Sequence, residues 1–389
     1  MSIQVRQIIN RQELENCYDL WDSVFEVGRP FFQVRLDADS SYALETTWGA
    51  WIDGRLASAV QIFPYLARYG TVCLKVGGIG NVATLPEYRG QGLAQLILRQ
   101  QVQWMKAMDY DLSLLFTGIP SFYEQVGWSR FPLGEAYAFR RSSLETIDDN
   151  SYRIRPGDYH SDRPHLMQAY DASVGQIPLA WVRSADYWND SAAWLMRKHP
   201  SVWIAERDNR LAAYLIAPEK SQDSPTPVEC VYFPGDEASA LALLRHFLSD
   251  LDEGASVVVR LPQSHPWTNV GERVDSPSGE MWQCLNRTRL LGRLESELTR
   301  RLPQSFRSTQ PFTLGIAGGA EPVTRVKIEG GRVNVLPPTS GQITVDAVQY
   351  LSDADFVRMV LTGADDAWSP WLGQLFPPQA PFVWPMDHF

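Results

Sequence analysis

Arg89, Gly92 and Ala94 fall at the spacing Arg-x-x-Gly-x-Ala, with Gly90, Gln91 and Leu93 between them. An apolar, β-prone run at residues 82–85 precedes them, and Pro86 stops it because proline cannot donate to a ladder. After the glycines, Leu93, Ile97, Trp104 and Met108 recur on one helical face, with Gln95, Arg99, Gln103 and Lys106 opposite. A helix that opens at the glycines presents unpaired N–H groups and the positive end of its dipole. Glycine lets a phosphate approach the backbone, and Arg89 adds charged donors. Strand, glycine turn and helix N-terminus together read as a pyrophosphate cradle.

The second chemical group is Tyr123, in Phe122-Tyr123-Glu124 followed by Gly127-Trp128. A phenol of pKa about 10 keeps its proton at neutral pH and can donate it to a developing anion. A competing pattern, Gly78-Ile79-Gly80-Asn81-Val82-Ala83, matches the dinucleotide fingerprint G-x-G-x-x-A. That fingerprint requires a helix to open inside the motif, whereas Val82, Thr84 and Pro86 read as strand and then stop.

The Arg89-to-Ala94 turn, with Val82-Ala83-Thr84 before it and the Phe-Tyr-x-x-x-Gly-Trp segment after it, resembles a GNAT-family N-acetyltransferase. The resemblance implies acetyl-coenzyme A held between two splayed parallel strands. Val82 and Thr84 would pair with its pantetheine arm, residues 89–94 would hold its pyrophosphate, and the Val82 N–H would serve the oxyanion. It also places Tyr123 at the general-acid position.

These groups need a scaffold, and 389 residues are enough for two or three domains. Hydrophobic content of 44% and charged content of 21% fit an ordinary globular chain, and no run approaches a membrane span. The N-terminus does not resemble a signal peptide. Cys17, Cys73, Cys230 and Cys284 form no C-x-x-C, and the six histidines do not cluster, so neither a metal site nor a disulfide framework is expected. A reduced, cytoplasmic setting is expected. The formal net charge of −10 argues against nucleic acid and weakly favours cationic substrates.

Residues 14–25 read as a helix. Residues 48–52 and 56–62 alternate around Asp53-Gly54, a hairpin signal. Residues 112–116 read as a strand, and 136–140 as a closing strand. Trp48, Ala50, Asp53, Arg55, Leu56 and Ala57 recur as Trp203, Ala205, Asp208, Arg210, Leu211 and Ala212 at one offset, which suggests an internal duplication. The second copy continues as a strand at 228–233 and a helix at 237–251. Between them Pro234-Gly235-Asp236-Glu237 lacks the cradle, and its acidic pair would repel a pyrophosphate. Past Asn286, residues 312–316, 324–328, 332–336 and 343–345 read as strands, with a Gly330-Gly331 turn. Ser352 caps a helix over 353–361 that Gly363 closes.

The expected fold is therefore α+β: tandem GNAT folds, each a twisted mixed sheet flanked by helices, and a small α+β domain. The divisions are 1–150, catalytic; 151–285, a degenerate copy; and 286–389. This layout, with its aromatic end, resembles the Eis (enhanced intracellular survival) family, whose third domain is similar to sterol carrier protein. That resemblance implies hexamers that acetylate aminoglycosides, polyamines or protein lysines. It also implies that the general base is the C-terminal carboxylate, on Phe389. Such a carboxylate, with a pKa of about 3.3–3.7, would need desolvation or a water relay.

Glu26, Asp37 and Asp387 are candidates to attract a cationic acceptor, and Trp21, Phe31, Phe32 and Trp48 to line its pocket. Each has an ordinary alternative as a surface charge or core aromatic. A protein-lysine acetyltransferase, or a non-catalytic acyl-coenzyme A or lipid binder, remain the other readings. The pairing of Arg89 with Tyr123 disfavours a mere binder, which has no use for the acid.

Overall fold

The computed structural model describes residues 2–131, 133–141, 152–195, 201–217, 226–252, 254–276, 278–303, 310–319, 321–337 and 344–388. The first half contains β1 (Ile3–Gln7), α1 (Arg11–Phe25), α2 (Arg29–Ala38), β2 (Thr47–Ile52), β3 (Arg55–Tyr69), β4 (Val72–Thr84), α3 (Leu93–Ala107), β5 (Leu112–Phe116), α4 (Pro120–Glu124), β6 (Ser129–Arg130) and β7 (Glu135–Arg140). There follow β8 (Arg153–Pro156), α5 (Tyr159–Ser173), α6 (Ala185–Leu195), β9 (Ser201–Arg207), β10 (Arg210–Ala217), β11 (Glu229–Tyr232), α7 (Glu237–Ser249), β12 (Ser256–Leu261), β13 (Glu272–Val274) and β14 (Glu280–Cys284). The last part contains α8 (Arg287–Arg301), β15 (Phe312–Ala317), β16 (Thr324–Glu329), β17 (Arg332–Leu336), β18 (Ala347–Tyr350), α9 (Asp353–Thr362) and α10 (Pro370–Leu375). Among the described residues no helix is long and apolar enough to cross a membrane.

Local chemistry accounts for many of these bounds. The Asn10 side chain accepts from the Glu13 N–H at 2.9 Å and opens α1. Asp53 and Gly54 both take positive φ, as a two-residue hairpin requires, and Asp208 and Asn209 repeat this between β9 and β10. Ser352 caps α9, accepting from the Asp355 N–H at 3.0 Å.

The first sheet has the order β1-β2-β3-β4-β5-β14-β6, with β4 and β5 parallel. The strand expected at 136–140 exists, but it lies in a different sheet, between β12 and β13. In return β14, from far along the sequence, pairs with β5 and β6. The two halves thus exchange strands. The second half also keeps a four-stranded sheet of order β11-β10-β9-β8. The β3–β4 hairpin runs well past residue 62, and its far end meets the second half, where Arg68 N–H donates to the Ala180 carbonyl at 2.8 Å.

The last sheet has the order β17-β16-β15-β18. Its final strand falls at Ala347–Tyr350 and not at 343–345. Ile343 lies outside the described residues, and Asp346 ends the preceding loop by accepting the Thr313 N–H at 2.6 Å.

Glu280 sits at the exchange, in register with Phe116 and buried. Its Oε2 accepts from the Leu133 N–H and from Ser278 Oγ at 2.9 Å. Burial pushes its carboxyl up to about 7. A carboxyl whose pKa is higher folded than unfolded binds its proton more tightly in the folded chain. Its stabilisation is complete below an unfolded value of about 4.3 and is lost as pH rises through 7. Glu280→Gln, which keeps an acceptor oxygen, should hold its melting temperature from pH 5 to 8. The native chain should lose several degrees over the same range. Parallel loss in both proteins, by calorimetry, would place the pH sensitivity elsewhere.

Candidate active site

The parallel pairing of β4 with β5 runs from Val76 opposite Leu112 to Ile79 opposite Leu115 and then stops. On its other edge β4 stays paired with β3, through a register shift between Ala59 and Gln61. Asn81 adopts φ +52° at this bulge, a left-handed conformation that asparagine tolerates better than most residues. Beyond it, Leu85 N–H donates to the Ala57 carbonyl at 2.9 Å and Ser58 Oγ donates to the Ala83 carbonyl at 2.7 Å. Ala83 and Leu85 therefore face β3. By alternation Val82 and Thr84 turn their backbone groups into the gap that β5 has left. Arg89 Nε donates to the Thr84 carbonyl at 3.2 Å, which seats the guanidinium at the mouth of this gap.

Gly92 is the N-cap residue of α3, at φ +71°, with no side-chain cap. A Cβ there would meet nothing within 4 Å, so backbone conformation and not crowding calls for glycine. Gln91 and Gly92 are exposed, while Leu93 and Ala94 anchor the helix in the core. The first N–H groups of α3 consequently open beside the gap. Helix N–H groups and a guanidinium thus meet at the end of an unpaired strand edge, an arrangement that can bind an anion.

Tyr123 lies on α4, 7% exposed, beneath Trp128 and Phe122, which both meet it edge-on. Its side chain hydrogen-bonds that of Thr117, the residue after β5, and burial pushes the phenol up to about 12. The group is thus protonated and able to donate at neutral pH.

The two faces of the sheet differ. Ile79 and Leu115 pack with α3 and Tyr123 on one face. Phe63 packs with α1 and α2 on the other, and Leu114 packs with α8 and Val383 on that same side. Gly78 and Gly80 fall on this second face by alternation and project no side chain between Phe63 and Phe116. Beside it opens a cavity of about 430 Å³ whose lining includes Arg35, Asp39, Phe63, Tyr65, Asp186, Tyr187 and Asp190. Sequence reasoning missed these residues. Asp186 and Asp190, at i and i+4 on α6, were visible as one helical face, but α2 as their partner was not; Ser40 Oγ donates to Asp190 at 2.7 Å.

The tail returns to this place. The His388 ring stacks on Phe116 at 3.8 Å, and its carbonyl accepts from Arg35 Nη1 at 3.0 Å. Phe389 itself lies outside the described residues.

The expected acceptor residues do not gather here. Trp48 is core, under α3 and edge-on to Trp104, on the opposite face. Trp21 and Phe32 are core as well. Glu26 is an exposed left-handed C-cap of α1, and Phe31 is 48% exposed against the edge of Phe32. Asp37 is taken up by a two-pronged ion pair with Arg11, at 2.6 and 2.9 Å. Asp387 is buried; Arg183 donates to both its oxygens at 2.9 and 2.7 Å and Tyr187 donates at 2.7 Å, so its charge is paired within the protein.

The sequence profile of the acetyltransferase (GNAT) domain matches residues 5–131. No curated protein matches the chain by sequence. Among solved structures, a probable N-acyltransferase from Enterococcus faecalis is similar over 100% of both chains, at 15% identity and a TM-score of 0.79. A GCN5-related N-acetyltransferase from Anabaena variabilis is similar over 100% of both, at 14% identity and a TM-score of 0.75. Eis1 from Mycobacterium abscessus is similar over 100% of both, at 14% identity and a TM-score of 0.68. At these identities the shared property is the fold, over the whole chain.

The cradle yields a direct test. Gly92→Asp adds a charge where phosphates approach, and strains a left-handed residue by about 1–2 kcal/mol. Acetyl-coenzyme A affinity should fall at least about tenfold, with a small change in melting temperature. Unchanged affinity by calorimetry would remove the phosphates from this turn. The gap, the turn and the matched profile lead to one statement: the chain is an acyltransferase with a GNAT acetyltransferase domain over residues 5–131, and acetyl-coenzyme A is its donor.

Proposed function

We propose that the enzyme transfers acetyl to a primary amine of a cationic acceptor, aminoglycoside- or polyamine-like, by direct attack on the thioester. One observation carries this reading. Tyr123 reaches Thr117 from the α3 face, while the tail reaches Phe116 from the face that holds the acidic cavity. Donor and acceptor thus approach the same strand end from opposite sides. Asp39, Asp186 and Asp190 outnumber Arg35 and Lys75 in the lining of that cavity, so the cavity favours a cation.

Val82 and Thr84 hold the pantetheine arm and residues 89–94 the pyrophosphate. The Val82 N–H meets the oxyanion that develops on the thioester. Tyr123 protonates the departing thiolate. The base comes from the tail, and resemblance assigns it to the α-carboxylate of Phe389.

Residues 151–285 serve as a degenerate copy. The Gly235 N–H is taken by Glu237 Oε1 at 3.1 Å, where a phosphate would need it. Phe382, Trp384 and Met386 share the core of β11 and β12, the strands between which a second cofactor would lie. Residues 286–389 as a sterol-carrier-like domain, a hexameric assembly and a cytoplasmic location complete the reading, all by resemblance.

A screen of amines and lysine peptides with acetyl-coenzyme A, following thiol release, tests the substrate class. Turnover of peptides alone would favour a protein-lysine acetyltransferase. Tyr123→Phe should lower kcat about 10²–10⁴-fold with little change in KM. Near-native turnover would return Tyr123 to packing. Residues appended after Phe389 should abolish most turnover while an N-terminal tag does not, and equal rates would exclude the carboxylate.

A further inference from the structure

The tail carries one group that the reading above leaves idle. Nε2 of His388 is buried and, among the described residues, has no hydrogen-bond partner. Leaving such an atom unpaired costs about 1–3 kcal/mol, so its position calls for an explanation. The tail could relieve the cost by shifting, but it is fixed from several sides. Arg183 and Tyr187 grip Asp387, the Met386 N–H donates to the Val228 carbonyl at 3.3 Å, and Arg35 grips the His388 carbonyl. The ring lies flat on Phe116, the first residue of β5 past its last pair with β4.

The ring also hydrogen-bonds the Val383 backbone. In the tautomer that carries its N–H on Nδ1, the neutral imidazole keeps its lone pair on Nε2. The charged groups acting on the ring are Arg35 from α2 and Arg260 from β12. With burial they pull the imidazole down to about 4, so it stays neutral at any ordinary pH.

We propose that Nε2 of His388 accepts the proton of the attacking amine. The inference rests on the acetyl-transfer reading and moves the first proton acceptor from the α-carboxylate of Phe389 to the side chain before it. The amine nitrogen bonds the thioester carbon and gives its proton to Nε2. The carbon–sulfur bond then breaks, and the thiolate takes the Tyr123 phenol proton. The imidazolium and the phenolate return to their starting states through one proton released and one gained from solvent. An amine and acetyl-coenzyme A become an amide and coenzyme A. The acid must face sulfur and the base must face nitrogen, and these two groups meet the chain at adjacent residues from opposite sides, Phe116 at the end of β5 and Thr117 just after it. Arg35 is then a positioning residue, acting through the tail.

The test uses the full chain with an amine acceptor that the native enzyme turns over. His388→Phe keeps the stack on Phe116 and removes the nitrogen; His388→Ala leaves room for free imidazole. Both should bind acetyl-coenzyme A and melt like the native chain, with kcat lowered at least about 100-fold. Added imidazole should restore part of the rate to His388→Ala and none to His388→Phe, which a structural role would not produce. Near-native turnover of His388→Phe overturns the proposal. So does a His388→Ala that imidazole does not rescue while an extension after Phe389 silences a chain with His388 intact; that pattern assigns the carboxylate and keeps the acetyl-transfer reading. A native chain that binds acetyl-coenzyme A but acetylates no amine overturns the reading and this inference together.

Discussion

The interrupted pairing of β4 with β5 is the constraint on which the rest depends. A parallel pair that continued past Ile79 and Leu115 would use every backbone group for the ladder. The bulge at Asn81 keeps β4 bonded to β3 while its other edge is released. Val82 and Thr84 then turn backbone groups into the gap, where the Thr84 carbonyl accepts from Arg89, and α3 begins beside it. Pro86 contributes by preventing the strand from continuing, so that the chain turns into the glycines.

The other edge of β5 is occupied by β14, which arrives from 280–284. That exchange makes the two halves one folding unit at the site, because the first sheet is incomplete without the second half's strand and β7 fills a sheet of the second half. Gly279 marks how close the approach is: a Cβ there would lie 2.4 Å from the Thr117 carbonyl oxygen. Thr117 is the residue that Tyr123 contacts. The packing of the exchanged strand therefore bears directly on the position of Tyr123.

Local rules made part of this legible. The caps at Asn10 and Ser352, the Asp53-Gly54 turn, β5 and the opening of α3 follow from residues within a few positions of one another. The extent of the β3–β4 hairpin was not legible, because its far end is stabilised by residues 179–182, and neither was the exchange of β7 and β14. The shift of β18 has the same origin, since a parallel edge strand is set by its partner β15. At the site, the turn at residues 89–94 and the helix it opens could be read because their residues are contiguous. Trp48 could not, because an alternating strand does not reveal which face the cofactor takes. Asp387 looked like a free charge; its partner Arg183 is 204 residues away.

The fate of Asp387 also explains how the tail is held at the end of β5. Arg183 bridges it to Glu229, with Tyr214 and Tyr187 donating to the two carboxylates, and all three charged groups are at most 4% exposed. Burial pushes Glu229 upward, which eases the crowding of two carboxylates on one cation. Replacing such a cluster by apolar groups often costs little stability, so its worth lies in specifying one arrangement. Just before it, Phe382, Trp384 and Met386 fill space beside β11 and β12, with Trp384 edge-on to His265. Each buried side chain of this size contributes about 1.5–3 kcal/mol, without fixing direction. The apolar wedge thus holds the tail down, the ion pairs fix its register, and the residues after Asp387 emerge at Phe116. The second half is the element that brings them there.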